Sequence, residues 1–352
     1  ADNCAASPVV AHVSDVSDGN TCPEVITRTY SVTDDCGNST NVIQTITIED
    51  NTAPVWTTVA GSLDRTVECD DAAGLIAAQA LAPAATDNCT ATLTPVKTEG
   101  SFTAGSCANE GIFTNTWTVT DDCGNVSAVF TQVITITDDV PPVLTCPSPV
   151  TANTDAGESY ATLTIDAPAV SDNCGSVSYT NDFTGTDDAG GQYPVGTTTV
   201  TWTAEDECGN TSTCQMTVTV NDNEGPAMSC PAGIVVECAG DVPAAYTDFA
   251  AFQAAGGTAT DADGIDAGSF ALISEVSDGN SCPEVITRTY EIADNLGNTS
   301  VCSQTITIDD TTAPVWSTAG GSLDRTLDCD DTSGLLLAQA LAPAATDNCT
   351  AT

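Results

Sequence analysis

Residues Ile112 to Asp139 read IFTNTWTVTDDCGNVSAVFTQVITITDD, two runs rich in Thr, Val, Ile and aromatic residues on either side of Asp121-Asp122-Cys123-Gly124-Asn125. Apolar and polar residues alternate in both runs, the period of a strand with one face on a core. Gly and Asn tolerate a positive φ, so 112–120 and 128–137 are expected to form an antiparallel hairpin closed by that acidic turn. The pattern returns over 198–204 with 212–220 and over 285–293 with 300–308.

Working outward, each hairpin ends in an Ile/Val-Thr-Ile/Val strand, acidic residues and a proline. The prolines Pro54, Pro142, Pro226 and Pro314 stand 88, 84 and 88 residues apart. A longer period of 260 residues is superimposed: Ser17-Asp18-Gly19-Asn20 returns as Ser277-Asp278-Gly279-Asn280, and Ala80–Thr92 is identical to Ala340–Thr352. Three units make one long period, which divides the chain into a partial module 1–51, modules 52–139, 140–222 and 223–310, and a partial module 311–352. The chain starts and stops inside this pattern and is expected to be a piece of a longer array. Short strands and turn signals in units of about 85 residues favour an all-β fold of tandem β-sandwiches. Ala72–Ala82 and Ala244–Ala255 interrupt it with helical spacing, so some modules carry a short helical insertion, whereas 140–222 has none.

Lys and Arg number 5 against 49 Asp and Glu, a net charge of -44. Such a field repels nucleic acid and anionic membranes and selects cations. No apolar run is long enough to span a bilayer, so direct membrane insertion is not expected. The single histidine, His12, is replaced by Leu272 one long period on, and every acid pair sits in a repeated turn, so catalysis is not expected. Trp56, Trp117, Trp202 and Trp316 lie in or beside strands and are read as core residues. Lys97, the only lysine, rules out lysine-based isopeptide staples as a general device. Six Asn-x-Ser/Thr sites occur, at Asn38, Asn88, Asn125, Asn210, Asn298 and Asn348. Four of these belong to the Gly-Asn turn, so turn chemistry explains them as well as glycosylation does.

Seventeen cysteines without a single Cys-x-x-Cys indicate disulfides and an oxidising compartment. The modules act as variants of one another, and cysteines that vanish together are read as partners. A first class joins the Asp-Asn-Cys segment to the acidic turn: Cys4–Cys36, Cys89–Cys123 and Cys174–Cys208, with Gly264 and Leu296 in their places after Pro226. A second joins the module start to the last strand, Cys146–Cys214 and Cys230–Cys302. A third joins a Glu-Cys strand to the loop before the hairpin, Cys69–Cys107 and Cys238–Cys282. Cys22, Cys329 and Cys349 are left to seek partners beyond the chain. Each bridge closes a loop of roughly 30 to 70 residues and contributes about 3 to 4.5 kcal/mol.

A Cys89–Cys123 bond would press Asp87 against Asp121 and Asp122, and a Cys174–Cys208 bond would press Asp172 against Asp206 and Glu207. At about 5 Å and an effective dielectric near 20, each like-charged pair costs about 3 kcal/mol, which a divalent cation reverses. The junctions add Glu49, Asp50, Asp138, Asp139, Asp222, Asp309 and Asp310, hard oxygen ligands of the type calcium prefers. Calcium is the proposed cofactor, at the turns or the junctions, and the alternative reading is that Asp and Asn are turn formers whose acidity serves solubility. Asp261-Ala262-Asp263-Gly264 has only part of the ligand series of a calcium loop.

Thr86-Asp87-Asn88-Cys89, the Asp-x-Cys-Gly-Asn turns, Tyr193-Pro194-Val195-Gly196-Thr197-Thr198-Thr199-Val200 and Cys146-Pro147 together resemble the hyalin-repeat (HYR) type of immunoglobulin-like module. The match is best over 140–222. Long arrays of this kind are similar to the giant surface adhesins of gliding bacteria. The resemblance implies an extracellular, cell-surface location and a non-catalytic stalk of an adhesive filament. Its expected partners are neighbouring modules of the same chain, and surface polysaccharide or substratum. A homopolymeric extracellular fibre or sheath is the alternative.

Overall fold

A computed structural model describes residues 8–107 and 109–349. The chain is built mostly of β-strands, with three short α-helices and one 3-10 turn among the described residues. Its architecture is that of immunoglobulin-like sandwiches: a main sheet whose first strand runs parallel to the last, the other pairs being antiparallel, faced by small two-stranded ribbons.

The contacts divide the chain into two compact units. The first comprises 1–146, 168–187 and 201–214. It opens with an antiparallel sheet of Val9–Ser17, Glu24–Thr33 and Ser39–Ile48. Next comes the sheet Arg65–Glu68, Phe130–Thr137, Gly111–Thr118 and Val96–Thr98, in which Arg65–Glu68 pairs parallel to Ile134–Thr137. The ribbon Val55–Trp56 with Ala85–Thr86 faces this sheet through Trp56, whose ring meets Phe130 edge-on at 5.6 Å and whose Nε1 donates to the Ala128 carbonyl at 2.7 Å. Trp117, Val119, Phe130 and Ile134 are buried with Val67 and Ile136, the residues that the alternation places on one face.

The second unit comprises 147–167, 188–200 and 215–352. Val150–Asn153 pairs parallel to Val218–Asn221, and Tyr160–Leu163 pairs with Gly191–Pro194. The long strands Gly196–Asp206 and Thr211–Asn221 are neighbours in one sheet. The unit continues with Ile234–Val236, Thr299–Ile308, Glu284–Asp294 and Ile265–Ser277 in that order across a sheet. Phe249, Phe252, Phe270 and Tyr290 form its aromatic core, joined by Ala259 and Ile292.

The acidic turn closes each hairpin as its composition dictates. Gly37, Gly124, Gly209 and Gly297 take φ of 89°, 88°, 91° and 96°, where a side chain is strained. Helix α1, Ala72–Gln79, starts at Asp71, which caps the Gly74 N–H, and helix α2, Phe249–Ala254, starts at Asp248, which caps Ala251. Helix α3, Thr332–Gln339, repeats α1 one long period on. A buried polar chain holds α1: Asn115 donates to Gln79 and Gln132, and Gln132 donates to the carbonyls of Leu63 and Ala78.

Four disulfides differ from the sequence expectation, and all four cross from one repeat to the next. Cys69 bonds to Cys174 rather than to Cys107, and Cys107 bonds to Cys208. Cys123 bonds to Cys22 rather than to Cys89, and Cys238 bonds to Cys349 rather than to Cys282. The reason lies in strand direction. Cys69 follows the strand Arg65–Glu68 and donates its N–H to Thr137, so it sits at the end of the sheet from which Asp138 leads into the next repeat. It therefore faces the Asp172-Asn173-Cys174 loop across the junction, with the Cα atoms 5.9 Å apart. Cys146–Cys214 and Cys230–Cys302 are bonded within their repeats, at Cα separations of 5.7 and 5.5 Å. Cys4 lies outside the described residues, and its expected partner Cys36 is unbonded, as are Cys89, Cys282 and Cys329. Trp316, expected in a core, is 67% exposed because no hairpin faces it among the described residues.

Candidate metal centres at the repeat junctions

Where one repeat passes into the next, the last strand ends in an aspartate and the following repeat brings two more to meet it. Asp50, Asp87 and Asp121 each place a carboxylate oxygen within 4.8 Å of the others, and Asp138, Asp172 and Asp206 do the same. At a third junction the charges of Asp222, Asp261 and Asp294 act on the buried carboxyl of Asp263. Asp310 and Asp347, one long period beyond Asp50 and Asp87, converge with Cys349.

Local hydrogen bonds hold each group. Asp87 accepts from the N–H groups of Cys89 and Thr90 at 2.9 and 2.8 Å, and Asp172 accepts from Cys174 and Gly175 at 2.8 and 3.1 Å. These are Asx turns, which aim the second carboxylate oxygen away from the backbone. Asp121 accepts from the N–H groups of Cys123 and Asn125 and from the Asn125 side chain. The same Asn125 Nδ2 also donates to the Asp50 carbonyl at 2.9 Å, which ties the turn to the preceding repeat. Asn210 repeats this clasp on Asp138 at 2.9 Å, and Asn298 on Asp222 at 3.5 Å.

What the turns leave over is a set of buried oxygens without hydrogen bonds: Asp50 Oδ2, Asp87 Oδ1, Asp172 Oδ1, Asp222 Oδ2 and Asp263 Oδ2. Asp50 is only 8% exposed. Burying a carboxylate oxygen with no donor is costly, and a hard divalent cation removes the cost. The electrostatics are split accordingly. Burial, then the charges of Asp172, Asp206 and Glu68, push Asp138 above the usual aspartate range. Burial, then Asp222, Asp261 and Asp294, do the same to Asp263. Burial also acts on Asp206 and Asp294, but the donors from Asn210 and Asn298 outweigh it and hold both low. Asp50 is held low first by the Thr52 N–H, against burial, and then by Asn88.

Of the residues singled out in the sequence, Asp50, Asp87, Asp121, Asp138, Asp172, Asp206 and Asp222 fall in these groups, and Asp310 in the fourth. Asp122 and Glu207 are exposed rather than gathered into these groups, and the Glu207 carboxylate accepts from Ser176. Glu49 and Asp139 are exposed beside the groups. Asp309 faces the Cys282 thiol at 3.7 Å. The carboxylates are gathered by Asx turns and the asparagine clasp, without a Cys89–Cys123 or Cys174–Cys208 bond.

Sequence reasoning set Asp261 and Asp263 aside as part of an incomplete calcium loop, and it missed Asp294 and the clasp. Thr86, Ser171 and Thr260 occupy equivalent ribbon positions, so Asp263 falls where the other junctions have Cys89 and Cys174. A carboxylate in a cysteine's place was the available signal.

Residues 137–220 match the HYR domain family, and residues 57–136 match the family described as HYR-like domain with 4 cysteines. The second span contains Cys69, Cys89, Cys107 and Cys123. Residues 57–220 are thus similar to HYR-type modules. Hyalin of Strongylocentrotus purpuratus is 28% identical over 334 residues, 91% of this chain and 26% of that protein. Hyalin of Lytechinus variegatus is 29% identical over 221 residues, 59% of this chain and 39% of that protein. The chain thus spans between a quarter and two-fifths of these relatives. Among solved structures, Drosophila N-cadherin EC1-4 shares 11% identity at a TM-score of 0.30, covering 81% of this chain and 83% of that one. Protocadherin Gamma B2 extracellular cadherin domains 1-5 shares 14% identity at 0.33, covering 90% and 69%. Both scores are too low to carry an argument about function. No helix among the described residues is long and apolar enough to cross a membrane.

Proposed function

We propose that this chain is a stretch of a non-catalytic, extracellular, adhesion-type repeat protein, acting as the stalk of a cell-surface filament whose junctions are stiffened by disulfides and calcium. The observation that carries the reading is the junction itself. An acidic trio with unpartnered buried oxygens, an asparagine clasp and disulfides crossing between repeats come together at the Asp50 and Asp138 junctions, and the Asp222 junction keeps the buried carboxylates and the clasp without a crossing disulfide. Tandem HYR-type modules and the likeness to hyalin support an extracellular setting, as do the disulfides. Neighbouring modules are the partners this geometry supplies, and binding to polysaccharide or substratum belongs to exposed loops or to other parts of the filament.

Calcium would be held by Asp50, Asp87 and Asp121, by Asp138, Asp172 and Asp206, and by Asp222, Asp261, Asp263 and Asp294. Its role would be to neutralise carboxylates that the fold holds together. The test is titration calorimetry with calcium chloride on chelator-treated protein, paired with thermal melts. Saturable binding and a higher melting temperature in calcium are expected, and both should be reduced by Asp50→Asn with Asp121→Asn. An unchanged melting temperature with no binding heat sinks the calcium reading.

A further inference from the structure

Among the described residues, three junctions are crossed by disulfides: Cys22–Cys123 at Asp50, Cys69–Cys174 and Cys107–Cys208 at Asp138, and Cys238–Cys349 at Asp310. The Asp222 junction has none, and the residues in the cysteines' places show what stands there instead. Thr154 donates its N–H to the Asn221 carbonyl at 3.0 Å, as Cys69 does to Thr137 at 2.9 Å, so Thr154 occupies the place of Cys69. Asp263 lies three residues past the ribbon position Thr260, as Cys174 lies past Ser171. The positions bonded as Cys69–Cys174 across Asp138 are therefore Thr154 and Asp263 across Asp222. Leu296 takes the turn position of Cys208, which removes the second crossing bond as well.

What this junction has gained is charge. Asp222, Asp261 and Asp294 repeat the trio Asp138, Asp172 and Asp206, and Asp263 adds a fourth carboxylate in the cysteine's place. Asp222 Oδ2 and Asp263 Oδ2 are buried and accept no hydrogen bond. The charges of Asp222, Asp261 and Asp294 all act on Asp263. The ties that offset this are weak: Asn298 reaches the Asp222 carbonyl at 3.5 Å, against 2.9 Å for Asn125 and Asn210 at their junctions, and the Thr154 hydroxyl reaches Asp222 Oδ1 at 3.3 Å. Like charges gathered without a covalent link push a junction apart, and a hard divalent cation between them draws it closed.

We infer that the Asp222 junction is a calcium-operated joint, in which the cation does the work of the missing disulfide: bound, it closes the joint, and its removal frees this junction while the other three stay covalently tied. The inference rests on the calcium reading of the junctions and assigns to one of them a switching role that the others lack.

The positions of the glutamates supply the test. Every glutamate except Glu224 lies within 22–214 or 230–349, the two spans that overlapping disulfides interlock, so a cut at any of them leaves the fragments joined until they are reduced. Glu224 lies between the spans and is exposed. A glutamate-specific endopeptidase followed by non-reducing electrophoresis therefore reads this joint alone. Release of 1–224 from 225–352 is expected in chelator. Cleavage tracks the open population, so calcium chloride at about 100 times its dissociation constant should slow release about 100-fold. Asp222→Asn with Asp263→Asn should release at one rate in both conditions. Thr154→Cys with Asp263→Cys should keep the fragments joined in chelator until reductant is added, and a pair that stays as free thiols overturns the exchange of disulfide for cation. Titration calorimetry on the same protein separates the remaining failures. Calcium binding with equal release in calcium and in chelator overturns the joint and leaves the calcium reading standing, whereas equal release with no binding heat overturns both.

Discussion

The asparagine of each acidic turn does more than shape a loop. Its side chain donates at once to the turn aspartate and to the carbonyl that ends the previous repeat, so Asn125 joins Asp121 to Asp50 with bonds of 2.7 and 2.9 Å. One of these acceptors is charged, and bonds of that kind contribute about 1.5–3 kcal/mol. Asn125→Ala is therefore expected to destabilise the protein by about 2–3 kcal/mol in urea unfolding, with the disulfides intact. The same use of Asn125, Asn210 and Asn298 accounts for three of the glycosylation-like motifs as structural asparagines. The split among the aspartates also sets a pH dependence. Asp138 and Asp263 bind protons more tightly folded than unfolded, so between the ordinary aspartate value and their raised values the native state holds more protons and stability falls as pH rises. Asp206 and Asp294 are shifted the other way, and their contribution is lost as pH falls through their lowered values. In chelator the stability profile should therefore rise, peak near the ordinary aspartate range and decline above it. Asp138→Asn with Asp263→Asn should flatten the decline and leave the acid limb in place, as read from melting temperatures across pH.

At the scale of elements, the strands follow from side-chain alternation and the helices from their caps. The helix α2 earns its place by packing: Phe252 is fully buried against Phe249, Phe270 and Tyr290, with ring centroids 4.9 Å from Phe270 and 5.6 Å from Tyr290. Phe252→Ala should cost about 3–5 kcal/mol, detectable in urea unfolding monitored by tyrosine fluorescence. The hairpins were legible because period-two alternation and a glycine such as Gly124 are local signals. The disulfides were only half legible. Loss of cysteines in pairs identified the classes, but two cysteines at one end of a sandwich vanish together whether they bond to each other or to the repeat across the junction. The deciding clue was which repeats lose them: 140–222 lacks the Glu-Cys class, and the repeat that follows it lacks the turn class, with Asp263 and Leu296 in the cysteines' places. Four positions emptied across one junction are what crossing bonds require. The acid sites were legible through Asp87 and Asp121, but Asp263 was obscured because its neighbours resemble an incomplete calcium loop.

Across the whole molecule, crossing bonds change how the chain carries load. The pairs Cys22–Cys123, Cys69–Cys174, Cys107–Cys208 and Cys146–Cys214 overlap in sequence, so residues 22–214 form one covalently interlocked block. Cys230–Cys302 and Cys238–Cys349 interlock 230–349. Among the described residues no disulfide spans 215–229, where the charge of Asp222 acts on Asp263 instead. The connectivity makes a sharp mechanical prediction for a single chain pulled between residues 8 and 349. Reduced, it should extend to about 1,200 Å at roughly 3.4 Å per residue. Oxidised, the shortest covalent path runs through the bridges and frees only roughly 60 residues, or about 200 Å. Bonds confined within repeats would leave more than twice that length free, so the extension in single-molecule force spectroscopy separates the two patterns. The stretch 215–229 should open in both redox states, and if calcium bridges the carboxylates around Asp222, chelation should lower the force at which it does.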